Sequence, residues 1–363
     1  MSDRPFWQPL PVRDRGPLPS GVEVLVVGGG ITGVSLLRRL AERGLKATLV
    51  ERTRLAYGAS GRNAGFLLEG TAANYAEAVR IHGRTVAQEV WAVTAENHLR
   101  LAEALGGRAG YRRIGSRTLA ASVVEEAQLA ESAELMSEDG WPVKFAQRSV
   151  LNPRDGELLP AEAVGALAAD CPPGSIFEEV ELSAVDEPPI AAEEVILATN
   201  AFTGQLLEGI PITPVRAQML ATEPFATRVV NRPTYSDHGY QYWRQLPTGE
   251  VLVGGYRDRA PAEEVGYGLA TTATIQGYLD RHLAGLGITA PVSHRWAGTM
   301  GFTPDALPLV GRLRPGLSIC AGFTGHGMAF AHLCARMLVE NLLGGPALPE
   351  WLSPGRFVNK TSR

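Results

Sequence analysis

The chain has 363 residues, of which 45% are hydrophobic and 20% are charged, with a formal net charge of −4. This balance predicts a globular protein with a sizeable core and argues against a disordered chain. The excess of acidic residues argues against nucleic acid or an anionic membrane as the main partner. Three scattered cysteines are too few for a disulfide framework, and no metal site is predicted. Residues 1–20 lack the apolar core of a signal peptide, and no apolar run approaches ~20 residues, so we expect a cytoplasmic chain without a membrane span.

The predicted elements begin with a β-α-β unit after an extended arm over residues 1–20. Two alternatives stay open for this arm: it docks through Phe6 and Trp7, or it is only tethered. Residues 22–27 are an apolar run typical of a buried parallel strand, 31–43 repeat apolar residues at helical spacing, and 46–51 form a second strand. Helix-forming composition then predicts a long helical stretch over 75–104 that breaks at Gly83. Later helices are predicted over 123–138, 160–169, 272–284 and 327–343, strands over 118–121, 195–198 and 317–320, and a hairpin turn at 247–249.

A glycine motif follows the first predicted strand directly. Gly28, Gly30 and Gly33 fit the pattern G-x-G-x-x-G, in which glycines permit a tight turn, close approach of the backbone to a pyrophosphate, and tight packing of helix on sheet. The start of the following helix offers free N–H groups to phosphates. Glu51 ends the second strand 18 residues after Gly33, where its carboxylate can accept hydrogen bonds from a ribose. The motif therefore predicts a dinucleotide site, which by itself suits NAD or FAD.

Three further stretches bear on the choice of dinucleotide. Residues 55–66 read LAYGASGRNAGF, a small-residue loop that can press its backbone against an elongated cofactor. Residues 198–201 end a strand in small and polar side chains. Residues 296–328 carry WAGTMGFTPDALPLVG and then AGFTGHGM, which forms a second glycine-rich turn from strand to helix.

Together with VVGGGITG and LATNA, these motifs resemble the FAD-dependent amine and amino-acid oxidases of the D-amino-acid oxidase (DAO) superfamily, and most of all its γ-glutamylputrescine oxidase branch. The resemblance spans residues 20–345. It implies bound FAD, with the first glycine motif and Glu51 at the ADP half and residues 325–328 at the flavin. The implied cofactor-binding residues are Gly28, Gly30, Ile31, Thr32, Gly33, Glu51, Arg52, Ser60, Gly61, Arg62, Asn63, Ala64, Gly65, Leu182, Ala198, Thr199, Gly298, Asp305, Gly325, His326, Gly327 and Met328.

The resemblance also implies an α/β fold of mixed character: a Rossmann-like FAD-binding domain with an inserted substrate domain built on a mixed antiparallel β-sheet. The FAD-binding domain is expected over 21–65, 150–211 and 291–345, the substrate-binding cap over 66–149 and 212–290, and a C-terminal tail over 346–363. The segment 176–192 is leaner than the family pattern, which bears on adenine packing near Leu182. Relatives that hold the flavin covalently near T-P-D use a cysteine there, whereas this chain has none, so the FAD is expected to be non-covalent.

The substrate side departs from the family at one position. Members that oxidise amino acids place an arginine two residues after the glycine of the [RW]-A-G segment, where it holds the substrate carboxylate; this chain has Met300 there. Met300 suits an apolar or aliphatic amine, and the alternative is that another arginine, such as Arg216 or Arg244, holds a carboxylate.

Three residues are predicted to act in catalysis, namely Tyr242, Arg244 and His326. If the family layout holds, Tyr242 orients the substrate, Arg244 anchors an anion, and His326 bonds cofactor or substrate. Each also has a purely structural interpretation. The predicted substrate pocket is formed by Phe66, Glu69, Tyr242 and Met300, and Glu69 would attract an ammonium group unless it is a solvated loop carboxylate.

The activity that the resemblance implies is oxidation of a C–N bond in a small amine or amino-acid-like substrate, with hydride transfer to flavin N5, hydrolysis of the imine and reoxidation by O₂. Three alternatives stay open. The first is a dehydrogenase that uses an acceptor other than O₂, and the second is a catalytically silent flavin-binding subunit. The third is a tRNA-modifying enzyme, against which the net charge of −4 speaks. The oligomeric state is not predicted.

Overall fold

A computed structural model of the protein describes residues 4–7, 10 and 16–360; the remainder of the predicted arm and residues 361–363 of the predicted tail lie outside the described residues. The strands are β1 (Gly21–Val27), β2 (Ala47–Glu51), β3 (Phe66–Leu67), β4 (Ser116–Leu119), β5 (Lys144–Ala146), β6 (Ser149–Asn152), β7 (Gly156–Glu157), β8 (Ile176–Glu178), β9 (Ala191–Leu197), β10 (Thr213–Thr222), β11 (Thr234–Ser236), β12 (Gln241–Gln245), β13 (Val251–Gly255), β14 (Val292–Phe302), β15 (Leu309–Arg314) and β16 (Leu317–Ala321). The helices are α1 (Ile31–Glu42), α2 (Tyr75–His82), α3 (Arg84–Leu105), α4 (Val123–Glu138), α5 (Pro160–Ala169), α6 (Thr203–Leu206), α7 (Pro261–Glu264), α8 (Ala273–Gly285) and α9 (Gly327–Leu342).

The first sheet has six strands in the order β15-β16-β9-β1-β2-β8. All neighbours in it pair in parallel except β15, which runs antiparallel to β16. β1 and β2 are apolar because both faces of the sheet are covered. One face carries α1, α5 and α9, whose apolar sides form one continuous core with α3. This sheet is the predicted Rossmann-like unit, and its parallel strands end at a common edge.

The second sheet has eight strands in the order β14-β10-β13-β12-β11-β4-β6-β5. Its pairs are antiparallel except β11 with β4, so the sheet is mixed, as predicted. α8 packs on β10 and β13 through a separate apolar cluster that contains Ile275 and Leu279. β14 pairs along the whole of β10, from Thr213 opposite Phe302 to Thr222 opposite Val292. A division by sheet would therefore join residues 292–302 to the cap, whereas the sequence assigns 291–345 to the FAD-binding domain; the domain division itself stays a prediction.

Most predicted elements are confirmed. The long helical stretch breaks at Gly83, whose φ of 85° no ordinary L side chain adopts readily, into α2 and α3. The helices over 123–138 and 160–169 have the predicted bounds, and β12 and β13 form the predicted hairpin. The strand predicted over 195–198 begins earlier, at Ala191, and ends at Leu197. The prediction missed its first half because those residues are exposed or half-buried and lack the apolar run that marks a buried strand. No helix among the described residues has the length and hydrophobicity needed to cross a membrane.

The N-terminal arm is docked through the two predicted aromatic residues. Trp7 is 7% exposed, and its indole N–H donates to the carbonyl oxygen of Asn63 at 2.8 Å. Phe6 packs edge-on against Trp7 at a centroid distance of 5.2 Å and against His294 of β14 at 5.5 Å. The arm therefore contacts the loop that follows β2 and one strand of the second sheet.

Candidate functional site

A cavity of about 520 Å³ lies where the edge of the first sheet faces the second sheet. One wall is formed by the ends of β1, β2 and β9 and by the start of α1; the other wall is formed by β10, β12 and β14. The turn that leads from β16 into α9 closes one side. The cavity thus occupies the position at which open α/β sheets bind ligands, outside the carboxyl ends of the strands, and its size suits a cofactor with a small substrate.

The first glycine motif forms a cradle at one end of the cavity. Gly28 has φ 113°, and a Cβ there would lie 2.8 Å from the carbonyl oxygen of Ala198. Gly33 lies behind the cavity wall: its Cβ would be 1.8 Å from the carbonyl oxygen of Gly28, so glycine lets α1 pack directly on β1. Gly30, the N-cap of α1, has no side chain, and of the first-turn N–H groups that of Ile31 is bound by Ser60 Oγ, while Thr32 of the same turn also lines the cavity.

Glu51 and Ser60 connect the cradle to its neighbours. The Glu51 carboxylate accepts the N–H of Gly29 at 2.7 Å, together with the N–H of Thr53 at 2.8 Å and its hydroxyl at 2.7 Å. A carboxylate offers about four acceptor sites, so one remains for a ligand hydroxyl. Ser60 Oγ accepts the N–H of Ile31 at 2.9 Å and so ties the loop over 58–65 to the start of α1.

The loop over 58–65 is fixed by hydrogen bonds within the loop and by hydrogen bonds to β14. Asn63 donates to the carbonyls of Ala59 at 2.9 Å and Ser60 at 3.1 Å, and its Oδ1 accepts the N–H of Gly65 at 2.7 Å. The loop and β14 exchange bonds: Arg62 donates to the carbonyl of Ala297 at 3.0 Å, and the Trp296 indole N–H donates to the carbonyl of Arg62 at 2.9 Å. Burial lowers the pKa of Arg62 below its usual range.

The second glycine-rich turn contributes His326 and the start of α9. Burial lowers the pKa of His326 to about 4, so its imidazole is neutral at pH 7. His326 Nδ1 is buried and has no hydrogen-bond partner among the described residues, and the same holds for Thr299 Oγ1 on β14. Both residues line the cavity. Unpartnered polar atoms in two residues that line one cavity favour a polar ligand in this part of it.

These features fit an elongated dinucleotide with a polar ring system. The cradle, Glu51 and the start of α1 suit its phosphates and ribose, whereas the unpartnered polar atoms of Thr299 and His326 suit a ring that can hydrogen-bond. The predicted cofactor residues that line the cavity are Gly28, Gly30, Ile31, Thr32, Glu51, Arg52, Ser60, Arg62, Asn63, Ala64, Leu182, Ala198, Thr199, Gly298, Gly325, His326, Gly327 and Met328. Three of the four predicted substrate-pocket residues line it as well, namely Phe66, Tyr242 and Met300.

Aromatic side chains surround the part of the cavity next to His326. Tyr235 lies 5.3 Å from Phe66, 5.9 Å from Tyr242 and 6.0 Å from His326 between ring centroids. Burial raises the pKa of Tyr242 to about 12 and raises that of Tyr235 further, so both phenols stay protonated. The ring of Tyr242 lies where a Cβ on residue 254 would be, 2.2 Å from its Cε2, so Gly254 makes room for it.

Arg244 lies outside the cavity lining, although the sequence places it beside Tyr242 on the same face of β12. Its guanidinium donates from Nη1 to the carbonyls of Gly65 and Leu158, each at 3.0 Å, and is 3.6 Å from a carboxylate oxygen of Glu157. The side chain is 1% exposed, and burial lowers its pKa to about 10. Arg244 is therefore not free to hold a substrate anion; it fixes the loop that lines the cavity.

Glu69 and Asp305 also lie outside the cavity lining. Glu69 is buried rather than solvated, and its Oε1 accepts from Arg154 at 2.7 Å, so its charge is already paired. Asp305 pairs with Arg356 through two bonds of 2.7 and 2.9 Å and caps the turn at Leu307. Of the predicted glycines, Gly33, Gly61 and Gly65 do not line the cavity, since each packs against backbone behind it.

The lining residues that were not predicted include Tyr235, Arg257 and Thr299. Tyr235 belongs to a three-residue strand, and Arg257 follows β13 outside any motif. Thr299 lies between Gly298 and Met300, so its place was readable once β14 was aligned with the family pattern.

The fold and the cavity define a dinucleotide-dependent oxidoreductase with a Rossmann-like unit and a β-sheet cap. The family model described as DAO, FAD dependent oxidoreductase, matches residues 23–341, and the chain belongs to this family. Its cofactor is accordingly FAD, and its reaction class is that of an FAD-dependent oxidoreductase.

Among known proteins, the chain is 29% identical to the tRNA 5-methylaminomethyl-2-thiouridine biosynthesis bifunctional protein MnmC of Maricaulis maris, over 94% of this chain and 56% of that protein. The chain thus spans about half the length of this relative. It is 26% identical to the gamma-glutamylputrescine oxidoreductase of Escherichia coli K12, over 89% of this chain and 84% of that protein. The solved structure of L-proline dehydrogenase from P. horikoshii superposes with a TM-score of 0.76 at 25% identity, covering 94% of this chain and 99% of that one.

Proposed function

We propose that the protein catalyses the FAD-dependent oxidation of a C–N bond in a primary or secondary amine or an amine-bearing amino-acid derivative. Bound FAD would supply the two-electron acceptor for the C–H bond next to nitrogen. The overall reaction would convert the amine, water and O₂ into a carbonyl compound, the released ammonia or amine, and H₂O₂. The names of two relatives, gamma-glutamylputrescine oxidoreductase and L-proline dehydrogenase, support the choice of an amine as donor.

The observation that carries the proposal is the group of side chains beside His326 in the cavity, where Tyr235 lies 5.9 Å from Tyr242 and 6.0 Å from His326 between ring centroids. A neutral imidazole and two protonated phenols surround this part of the cavity. A buried, weakly polar environment disfavours an ammonium ion and so favours the free amine, which is the form that can lose hydride. These side chains can orient an amine and accept or donate hydrogen bonds, but no nucleophile is needed from the protein. The buried Tyr242 hydroxyl is our candidate for orienting the substrate.

The test is anaerobic reduction of the bound flavin. The purified holoenzyme is mixed with polyamines, γ-glutamyl amines, sarcosine, glycine and D-amino acids, and bleaching of the flavin absorbance is followed. We expect at least one amine class to bleach it, and admission of O₂ to restore the colour with one equivalent of H₂O₂. Full restoration only with a quinone or a protein acceptor would identify a dehydrogenase. Failure of every amine would contradict the oxidation and favour a silent flavin subunit.

Two controls sharpen this test. Acid precipitation of the yellow protein should leave the flavin in the supernatant, as expected for non-covalent FAD; none of the described cysteines lines the cavity. Tyr242→Phe removes the hydroxyl that we assign to substrate orientation, and we expect flavin reduction about 10- to 100-fold slower, the usual range for a lost positioning or hydrogen-bonding group. Tyr278→Phe is the matched control, since this tyrosine does not line the cavity.

A second candidate function is oxidation of a modified nucleoside in tRNA. It is favoured by the match to MnmC over 94% of this chain, whereas the net charge of −4 speaks against a phosphate-binding surface. Retention of tRNA by the protein that falls steeply between 50 and 200 mM salt, as counterion release requires, would favour this candidate. Absence of retention at low salt would exclude it.

A further inference from the structure

We propose that Arg257 binds an acidic group of the substrate, so that the amine oxidised in this cavity carries a carboxylate. This inference rests on the proposed function and names its substrate class. Arg257 was not predicted from the sequence, which offers Met300 at the family's carboxylate-binding position and leaves Arg216 and Arg244 as alternatives.

The backbone directs Arg257 into the cavity. β13 ends at Gly255 with φ 120°, and Tyr256 follows in the left-handed region with φ 62°, so the chain turns sharply before residue 257. The turn is fixed because the Tyr256 N–H donates to the carbonyl of Tyr240 at 2.6 Å and its hydroxyl is 2.8 Å from Nδ1 of His282. A non-glycine residue held in this region is strained, and the strain is compensated by these contacts.

Two aromatic rings hold the Arg257 guanidinium in place. Its Cζ lies 4.4 Å from the ring centroid of Tyr240 and 5.3 Å from that of Phe302. Stacking engages the faces of the planar guanidinium and leaves its N–H edge available for hydrogen bonds. Phe302 and Met300 are two residues apart on β14, and both line the cavity, so they share one face of that strand. Arg257 thus packs on the strand that carries Met300, although it follows β13, which is separated from β14 by β10 in the same sheet.

The charge of Arg257 has no partner in the described part of the chain. No hydrogen bond or ion pair is formed by its guanidinium there, whereas the nearby acids are already engaged: Arg259 pairs with Asp258 at 3.0 Å and with Asp237 at 3.2 Å. The two alternatives from the sequence are also engaged. Arg216 binds Glu264 at 2.8 Å, and Arg244 binds two backbone carbonyls.

The other charged residues that line the cavity lie toward the cradle. Glu51 and Arg52 end β2, Glu181 adjoins Leu182, and Arg62 is bound to the carbonyls of Tyr57 and Ala297. Around Tyr235, Tyr242 and His326 the described lining residues therefore offer one cation, Arg257, and no carboxylate. The positive charge of Arg257 acts on all three of these side chains, so they lie near it, and two carboxylates outside the lining, Asp155 and Glu264, act on Tyr235 and Tyr242 respectively.

A substrate with a second ammonium group would meet a like charge in this part of the cavity, whereas a carboxylate would find a preorganised, unpaired guanidinium. Charge-assisted hydrogen bonds from arginine to a carboxylate are short, strong and bidentate, which also fixes the distance of the amine from the anchoring point. The inference predicts amino acids, N-alkyl amino acids or ω-amino acids as donors, and it argues against simple alkylamines and polyamines.

The first test measures binding without turnover. The holoenzyme is titrated with benzoate and with benzamide, its uncharged counterpart, and the change in flavin absorbance gives each dissociation constant. We expect benzoate to bind at least tenfold more tightly. Arg257→Met should weaken benzoate binding about 10- to 100-fold, the range expected for a lost charge-assisted bond, and leave benzamide unchanged. For Arg257→Lys we expect a benzoate dissociation constant between those of the parent protein and Arg257→Met, because lysine keeps the charge but cannot form the two parallel hydrogen bonds of a guanidinium.

Arg281→Met is the matched control, because Arg281 also stacks on a tyrosine, Tyr278, at 4.4 Å but does not line the cavity. It should leave both dissociation constants unchanged. The inference is overturned if the holoenzyme does not prefer benzoate to benzamide, or if Arg257→Met, still yellow, binds benzoate as tightly as the parent protein does. The first of these outcomes needs no variant, so a folding defect cannot mask it.

The second test separates this inference from the proposed function. Flavin reduction is compared for sarcosine, proline and 4-methylaminobutanoate and for the matching amines without a carboxylate, dimethylamine, pyrrolidine and N-methylpropylamine. Reduction by the first series alone supports both proposals. Equal reduction by both series supports C–N oxidation and overturns the anchor. If neither series reduces the flavin while benzoate still binds through Arg257, the anchor stands and oxidation of these amines is contradicted.

Discussion

The contact between Trp7 and the loop over 58–65 predicts that the N-terminal arm contributes to FAD affinity. The Trp7 N–H bonds the carbonyl of Asn63, and the side chain of Asn63 in turn holds three other backbone groups of the loop. Most residues of this loop line the cavity. If the arm keeps the loop in its binding-competent conformation, loss of the contact lowers the population of that conformation and raises the apparent dissociation constant in proportion.

Trp7→Phe removes the N–H and keeps an aromatic ring against Phe6 and Arg244. One neutral hydrogen bond contributes about 1 kcal/mol, so we expect FAD to bind about fivefold more weakly if the whole loss falls on the loop. Trp7→Ala also removes a ring that is 7% exposed, which costs about 3–5 kcal/mol of packing, and it should weaken FAD binding more than tenfold. Titration of the apoprotein with FAD, followed by quenching of flavin fluorescence, gives both constants.

Trp351→Phe is the matched control for this prediction. Trp351 is also 7% exposed and also donates one hydrogen bond, to Glu89 at 2.9 Å, but it does not line the cavity or contact the loop. Both variants should lose about 1 kcal/mol of unfolding free energy in urea, and only Trp7→Phe should lose FAD affinity. Equal FAD affinity in the two variants would show that the arm stabilises the fold without acting on the cofactor loop.

The remaining predictions concern two buried or partly buried carboxyl groups. Glu51→Gln disrupts a carboxylate that accepts three hydrogen bonds, so FAD affinity measured by the same titration should fall about tenfold or more, whereas Glu181→Gln, an exposed cavity residue, should leave it within twofold. Asp155 has its pKa raised to about 8 by burial, from an ordinary value near 4. Between about pH 4 and 8, therefore, Asp155 is protonated in the folded protein and ionised in the unfolded chain. Its contribution to the free energy of unfolding falls as the pH rises through this range, by at most about 1.4 kcal/mol per pH unit. Asp155→Asn should flatten this fall in urea unfolding at pH 5, 7 and 9, and parallel pH profiles for the two proteins would contradict the assignment.

The cofactor half of the site was predictable from the sequence because close backbone approach demands particular residues. Gly28 and Gly33 face a carbonyl oxygen at distances where no Cβ fits, so their identity and spacing leave a readable pattern. Glu51 lies at the end of β2, at a position that the β-α-β unit alone determines. Helix bounds were predictable for a similar reason, since Gly83 interrupts an otherwise continuous helical composition.

The substrate half was less predictable because it depends on which strands of the second sheet become neighbours. Tyr235 faces the cavity from a three-residue strand that pairs in parallel with β4, more than a hundred residues earlier. Arg257 faces it because of the turn at Gly255 and Tyr256. Neither position carries a periodic or compositional signal, so the sequence suggested Arg216 and Arg244 for the anion while the structure places Arg257 in the cavity.

Arg244 shows that a correct strand pattern does not predict how deeply a side chain is buried or which groups it binds. The alternation of β12 puts Tyr242 and Arg244 on one face, as expected, but the loop over 58–65 passes beneath the second of them. The guanidinium donates to the carbonyls of Gly65 and Leu158 in a buried part of the chain, so these hydrogen bonds occupy it. Arg244 is thus a positioning residue for the cofactor loop, in contrast to the anion anchor that its place on β12 suggests.

The cofactor loop is held by three parts of the chain that are distant in sequence. Trp7 binds it from the N-terminal arm, Arg244 binds it from β12, and Trp296 binds it from β14. The two strands also present Tyr242 and Met300 to the cavity, two and four residues away from these contacts. A movement of the second sheet that shifts Tyr242 or Met300 should therefore also displace the cofactor loop. Because linked equilibria are reciprocal, a carboxylate that tightens this sheet through Arg257 should also tighten the binding of FAD.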